Sequence, residues 1–295
     1  MNKNLLKKLL LFAVMLTMIT GCTKGKDLTP LSFTPENYPV IDGSTVTIPL
    51  SEHLASSLLQ LPLEEARQYV LHNKTHEAYI NLIDKKADLI FVTSPSEEEL
   101  SLASAANITL EVIPIVSEAF VFLTGADNPV EELTLAEIQG IYTGEITNWQ
   151  EVGGKNLPII PYQRPVNSGS QTGFLELVMK DLVPMDAPMT QVIAGMGDLI
   201  DTVAAYTDEP QGLGYSYFYY TTEMWGNEKV KLLSIDGVAP SSETITSREY
   251  PIHTAYYAVI RRDEPKDSAV RKIISYILSN EGQSLMEEAG YVRVQ

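Results

Sequence analysis

The chain has 295 residues, with 21 basic and 38 acidic side chains, a formal charge of −17 and a single cysteine. So acidic a chain excludes a nucleic-acid binder, whose affinity rests on Lys and Arg neutralising phosphates, and one cysteine excludes an internal disulfide. Apolar residues make up 44% and aromatic residues 8%, which places the chain among folded globular proteins long enough for two ordinary domains or one large one.

In chain order, Lys3, Lys7 and Lys8 precede an apolar run over 9–19, the layout of a secretory signal. The run is shorter than the roughly 20 residues of a membrane-spanning helix. It ends Ile19-Thr20-Gly21-Cys22, which resembles a bacterial lipobox. That resemblance implies a signal peptide over 1–21, cleavage before Cys22 and a diacylglyceryl group on its thiol. Two acyl chains satisfy the two-signal requirement for stable anchoring. Loss of 1–21 would leave 18 basic against 38 acidic residues, a charge near −20. Residues 22–40 carry Pro30, Pro35 and Pro39 without any helical or strand period, and read as a lipidated tether.

Beyond the tether, short apolar runs alternate with helical stretches, an α/β pattern. Strands are expected at 46–50, 88–92, 108–115, 119–123, 157–162 and 256–260, and Gly212-Leu213-Gly214-Tyr215 leads into another strand-like stretch. Helices are expected at 75–83 with Thr75 as N-cap, at 172–182 and at 268–278. Another, over 134–141, opens on Thr134 with Glu137 three residues on, a capping box.

The stretch that carries chemistry is Tyr162-Gln163-Arg164-Pro165-Val166-Asn167-Ser168-Gly169-Ser170-Gln171-Thr172-Gly173. It reads as a strand, an arginine, a Ser/Gly loop and a helix start. Unpaired N–H groups at a helix start suit a tetrahedral anion. Ser168 and Ser170 add hydroxyl donors, Gly169 allows close backbone approach, and Arg164 adds a planar fork of donors. Read on these residues alone, a capped helix whose arginine makes a structural ion pair fits equally well. A nucleophile elbow fails because Gln171 stands at the centre of Gly169-Ser170-Gln171-Thr172-Gly173. A P-loop fails because Gly154-Lys155-Asn156 lacks the earlier glycine and the hydroxyl.

Before that loop come Asn128-Pro129-Val130, Leu133-Thr134, Ile141-Tyr142-Thr143-Gly144-Glu145-Ile146-Thr147-Asn148-Trp149 and Val152-Gly153-Gly154. With the Arg-x3-Ser-Gly loop they resemble the phosphate-binding proteins of ABC transporters (PstS-like), over most of 40–295. The resemblance implies a two-lobe type II periplasmic-binding-protein fold, α/β in class, with a ligand cleft between lobes. Lobe one would take 41–120 with 255–295, and lobe two 121–254. Arg164, Ser168, Gly169 and Ser170 would hold the anion from lobe two. From lobe one, Ser44 and Thr45 would supply a first loop, Thr75 a second, and Thr93 and Ser94 a third. The third loop lacks the aspartate of one well-known version of the pattern, which implies an oxyanion site more firmly than phosphate itself.

The implied function is a monomeric extracytoplasmic lipoprotein that captures phosphate or a related oxyanion for an ABC transporter permease, held at the outer face of the cytoplasmic membrane. It would catalyse nothing and need no cofactor. An oxyanion-sensing or adhesive lipoprotein reusing the fold is the alternative, and an extracellular hydrolase lacks a nucleophile–base pair. His72 and His76 stand four apart but without a third metal ligand, and read as a solvated helix start. Glu97-Glu98-Glu99 reads the same way. The aromatic run from Tyr215 to Tyr220 reads as strand packing beside the cleft.

Overall fold

A computed structural model describes residues 31–205 and 210–294. The expected signal, Cys22 and the expected tether through residue 30 lie outside the described residues. Phe33 N–H donates to Leu58 O at 2.9 Å and Thr34 O closes a turn with Tyr38 N at 3.0 Å, so the chain joins the body from Phe33 onward.

Strand β1 (Ile41–Gly43) runs into a 3-10 turn, Thr45–Thr47, and then helix α1 (Ile48–Leu59). The strand expected at 46–50 is therefore a helix start. Pro49 suits the first helical turn, and Leu50, Leu54 and Leu58 bury one stripe. After α2 (Leu63–Ala66) comes α3 (Lys74–Ile83), whose N-cap is Asn73 and not Thr75. β2 (Leu89–Val92) is buried throughout, the mark of a strand covered on both faces. Helix α4 (Glu97–Ala105) opens on a Ser96–Glu99 capping box. Glu99 is fully buried there, unlike the solvated acids expected.

The strands expected at 108–115 and 119–123 are one strand, β3 (Leu110–Gly125), with an irregularity between Pro114 and Val116. Next come β4 (Glu132–Leu133) and α5 (Leu135–Thr143), which opens on the Thr134–Glu137 capping box. The strand expected at 157–162 shrinks to β5 (Ile160–Pro161). The helix expected from Thr172 starts earlier, as α6 (Gly169–Gly173), and continues as a π-helical segment, Phe174–Met179. α7 (Met196–Ala204), β6 (Gly212–Tyr217), β7 (Val230–Leu232), β8 (Ser234–Ile235), α8 (Ser242–Thr246) and β9 (His253–Arg261) follow. The chain closes with α9 (Ala269–Ile277), α10 (Asn280–Glu288) and β10 (Val292–Arg293).

The main sheet has the order β1-β2-β9-β3-β6-β5, with β10 and β7 also on β3, while β4 pairs β8 apart from it. Strand β3 organises the whole. Up to Ala119, opposite His253, it pairs antiparallel with β9. From Phe120, opposite Tyr217, it pairs antiparallel with β6. On one half-sheet, Tyr79 and Leu82 of α3 pack with Ile90 and Val259 of the strands in one buried cluster. The other buries aromatics, with Phe174 stacked on Tyr215 at 4.6 Å and 3°; such a pair adds about 0.5–1.5 kcal/mol beyond its area.

Glu118 lies where β3 changes partners. It is fully buried, and accepts from Ala119 N at 2.7 Å and Tyr219 N at 3.3 Å. Burial pushes its carboxyl up to about 7. No helix among the described residues is long and apolar enough to cross a membrane.

Candidate functional site

Loops from both half-sheets converge on one cleft of about 590 Å³. One wall is built on a carboxylate that no motif singled out. Asp42, fully buried in β1, accepts from Gly43 N (2.7 Å), Asn73 N (3.0 Å), Asn73 Nδ2 (2.9 Å) and Asn81 Nδ2 (2.8 Å). It thereby ties the loop after β1 to the first turn of α3. Thr47 Oγ1 and Ser44 N both donate to Phe91 O, at 2.7 and 2.9 Å, which ties the same loop to the end of β2. An acid beside an apolar residue, Ile41-Asp42, is the sequence signal by which Asp42 could be found.

Because Asn73 gives its amide to Asp42, it places no side-chain cap on α3. The N–H groups of the first turn therefore keep their partial positive charge where Thr75 and His76 line the cleft. Thr93, after β2, is only 2% exposed. Its Oγ1 has no hydrogen-bond partner among the described residues. A buried polar atom without a partner costs about 1–3 kcal/mol, and such atoms call for a bonding partner from elsewhere.

The opposite wall holds Arg164. Its Nε donates to Ile193 O at 2.8 Å, Nη2 to Ala194 O at 2.9 Å and Nη1 to Ser170 Oγ at 3.2 Å. The side chain is buried, and it belongs to none of the ion pairs among the described residues. The structural ion pair is thus not what holds this arginine. Burial lowers its pKa, opposed by the neighbouring Tyr215, Tyr220 and Asp198, yet a guanidinium stays charged in proteins. Ser168 caps α6, accepting from Gln171 N at 3.3 Å. Asn167 before it has a left-handed φ of 65°.

The two walls meet at Gly169. A Cβ there would lie 2.5 Å from Thr75 Oγ1 and 2.6 Å from Thr93 Oγ1, an approach only glycine permits. Tyr217 Oη donates to Gly169 O at 2.9 Å and holds the loop from behind. Two hydrogen bonds also link the walls, Asn167 Nδ2 to Glu98 Oε2 and Ser94 Oγ to Glu176 Oε2.

Of the residues singled out in the sequence, Ser44, Thr45, Thr75, Thr93, Arg164, Ser168, Gly169 and Ser170 all line the cleft. Ser94 does not: its hydroxyl is held by Glu176 at 2.5 Å. His72 and His76 go separate ways, His72 Nε2 to Ser51 Oγ at 2.7 Å and His76 Nδ1 to Glu99 Oε1 at 3.1 Å. In the aromatic run, Tyr215 packs in the core and Tyr219 stacks on Tyr291 at 3.8 Å. Tyr217 and Tyr220 reach the cleft, as does Trp225. Chemically, the arrangement gathers a fixed cation, an uncapped helix start, hydroxyls and backbone N–H groups along one cleft, a set of donors suited to an oxyanion.

Residues 52–281 match the family model of the PBP superfamily domain. The phosphate-binding protein PstS of Bacillus subtilis is 31% identical over 180 residues, 60% of this chain. The chain spans 56% of the length of that relative. The phosphate-binding protein PstS of Borreliella burgdorferi is 23% identical over 300 residues, 97% of this chain and 98% of the relative. Among solved structures, a candidate phosphate ABC transporter substrate-binding protein of Clostridium perfringens, with bound phosphate, is similar at a TM-score of 0.67 and 25% identity. That likeness covers 87% of this chain and 99% of the other. The α/β fold described above is thus periplasmic-binding-protein-like.

Proposed function

The chain belongs to the PBP superfamily, and from that premise we propose that it captures phosphate, or a closely related tetrahedral oxyanion, outside the cell for an ABC transporter. The observation that carries this reading is the buried Arg164, whose guanidinium has no carboxylate partner among the described residues and lies across the cleft from Thr93 Oγ1 and the uncapped start of α3. An oxyanion answers all three at once, as counter-ion for the arginine and as acceptor for the hydroxyl and the helix N–H groups. The names of the relatives favour phosphate among such anions. In this role the protein binds and turns nothing over.

The same reading assigns lobe one to 41–120 with 255–295, lobe two to 121–254, and the crossing to β3 and β9. The exchange of β3 from β9 to β6 at Phe120 supports a hinge there. Ligand binding would favour the closed arrangement by drawing the walls together. The closed form would dock on a permease. Ile19-Thr20-Gly21-Cys22 supports a lipid anchor on Cys22, which would hold the receptor near that permease and raise its effective concentration.

Calorimetry with phosphate, arsenate, sulfate and molybdate tests the reading. Arg164→Ala removes charge-assisted hydrogen bonds worth roughly 1.5–3 kcal/mol each, so affinity should fall about 100-fold or more. Failure of all four anions to bind the parent protein would end the proposal.

A further inference from the structure

Two side-chain hydrogen bonds join the walls beside the anion donors. Ser94 Oγ donates to Glu176 Oε2 at 2.5 Å, and Asn167 Nδ2 donates to Glu98 Oε2. Of these four residues, Ser94, Glu98 and Glu176 do not line the cleft. The bonds therefore act between walls and not on a ligand.

On one wall both bonds start from a single stretch, 94–98, and that stretch is fixed to its own half-sheet. Tyr79 Oη of α3 donates to Thr93 O at 2.8 Å. The Ser96–Glu99 capping box sets the start of α4. Glu99, fully buried, meets His76 Nδ1 of α3 at 3.1 Å. On the other wall the partners bracket α6. Asn167 stands just before the cap Ser168, and Glu176 lies in the π-helical segment that follows. Gly169 and Ser170 lie between them. A stretch fixed on one wall thus grips the anion loop on both sides, around the point where Gly169 meets Thr75 and Thr93. Preorganised partners lose little further freedom when they join. Parting the walls by about 1 Å breaks both bonds, because hydrogen bonds weaken steeply with distance.

We propose that Ser94 with Glu176, and Asn167 with Glu98, form a clasp that holds the walls together over a bound oxyanion and slows its release. This rests on the oxyanion reading of the cleft and adds residues that govern retention without belonging to the anion donors. Both acceptors are carboxylates, the stronger kind of acceptor, and both are exposed, so solvent tempers each bond. The clasp closes after the anion has entered, so it acts on release more than on capture. Charge alone gives Glu176 the opposite role, since an acid near an anion hastens its departure. The sign of the effect therefore separates the two.

The test follows phosphate on the whole protein, with affinity from calorimetry and release from stopped-flow tryptophan emission, Trp225 being part of the cleft lining. Ser94→Ala removes a neutral hydroxyl and should speed release about three- to tenfold, the scale of one hydrogen bond, with the association rate within about twofold. Glu176→Ala should speed release too. In the Glu176→Ala background, Ser94→Ala should have no further effect, because the two residues share one bond. Thermal melts without phosphate should match the parent, which separates an opened clasp from a damaged fold. Release from Ser94→Ala within about 1.5-fold of the parent overturns the inference and leaves the oxyanion reading in place. Slower release from Glu176→Ala overturns it as well, as does equal acceleration by Ser94→Ala in both backgrounds. A parent protein that binds no phosphate fails the oxyanion reading and the inference with it.

Discussion

Replacing Gly169 by alanine isolates the contact between the two walls. The added Cβ would lie 2.5 Å from Thr75 Oγ1, 2.6 Å from Thr93 Oγ1 and 3.3 Å from Thr75 Cβ, against about 3.5–4.0 Å for unstrained carbon contacts. Both threonines are buried and β-branched, so neither turns away easily. Relief requires the walls to part by about 1 Å, at an overpacking cost of about 1–3 kcal/mol. That cost falls on the arrangement in which the walls meet around the ligand, so phosphate affinity should drop about 5- to 150-fold. Stability without phosphate should change less, because the walls can part when no ligand joins them and alanine in a helix is favoured over glycine by roughly 0.5–1 kcal/mol. Gly173→Ala, four residues on, is the contrasting variant: its Cβ would meet Tyr217 Oη at 2.5 Å and Phe120 ring carbons at 3.2 to 3.3 Å inside the core. It should lower thermal stability outright. Calorimetry and thermal melts with and without phosphate separate the two effects. A Gly169→Ala protein that binds phosphate within twofold of the parent would refute the reasoning.

Two further outcomes follow from buried carboxylates. Asp42→Ala leaves Gly43 N, Asn73 and Asn81 Nδ2 without their acceptor, so urea denaturation should show a loss of about 3 kcal/mol or more. Phosphate affinity should fall with it, and a loss under 1 kcal/mol would count against Asp42 as the organiser of this wall. Glu118 titrates near 7 in the fold and near 4.3 when unfolded, so the folded state binds the extra proton between those values. Its contribution is full below about pH 4 and is lost as pH rises through 7, on the order of 3 kcal/mol. Glu118→Gln should remove that part of the pH dependence, and parallel stability curves for the two proteins between pH 5 and 8 would contradict it.

Local signals in the chain reached a good part of this description. The Thr134–Glu137 capping box, the strand at 88–92 and the amphipathic helix ending near Leu278 each depend on residues within a turn or two, and each formed where expected. Arg164 and Ser168–Gly169–Ser170 were legible for the same reason, because the arginine, the cap and the helix start are consecutive. Helix α1 was not, since Val46 through Leu50 reads equally as a strand until Leu54 and Leu58 are counted on its stripe. Thr75 looked like a cap because its residue type suits one.

What only the tertiary structure decided involves partners distant in the chain. Asp42 meets donors 31 and 39 residues away, and that meeting explains why Asn73 leaves α3 uncapped. Ser94 looked equivalent to Thr93, but the fold turns one hydroxyl to Glu176 and leaves the other without a partner among the described residues. The continuity of β3 through Pro114 and its change of partner at Phe120 are matters of sheet register. Trp225 becomes part of the cleft only because Gly197, 28 residues earlier, leaves room for its ring. Periodicity and caps are written in neighbouring residues, so the sequence alone determined the Arg164–Ser170 loop that lines the cleft and most element types. Burial and the meeting of the two walls arise when distant segments share a sheet, and no short stretch of chain encodes them.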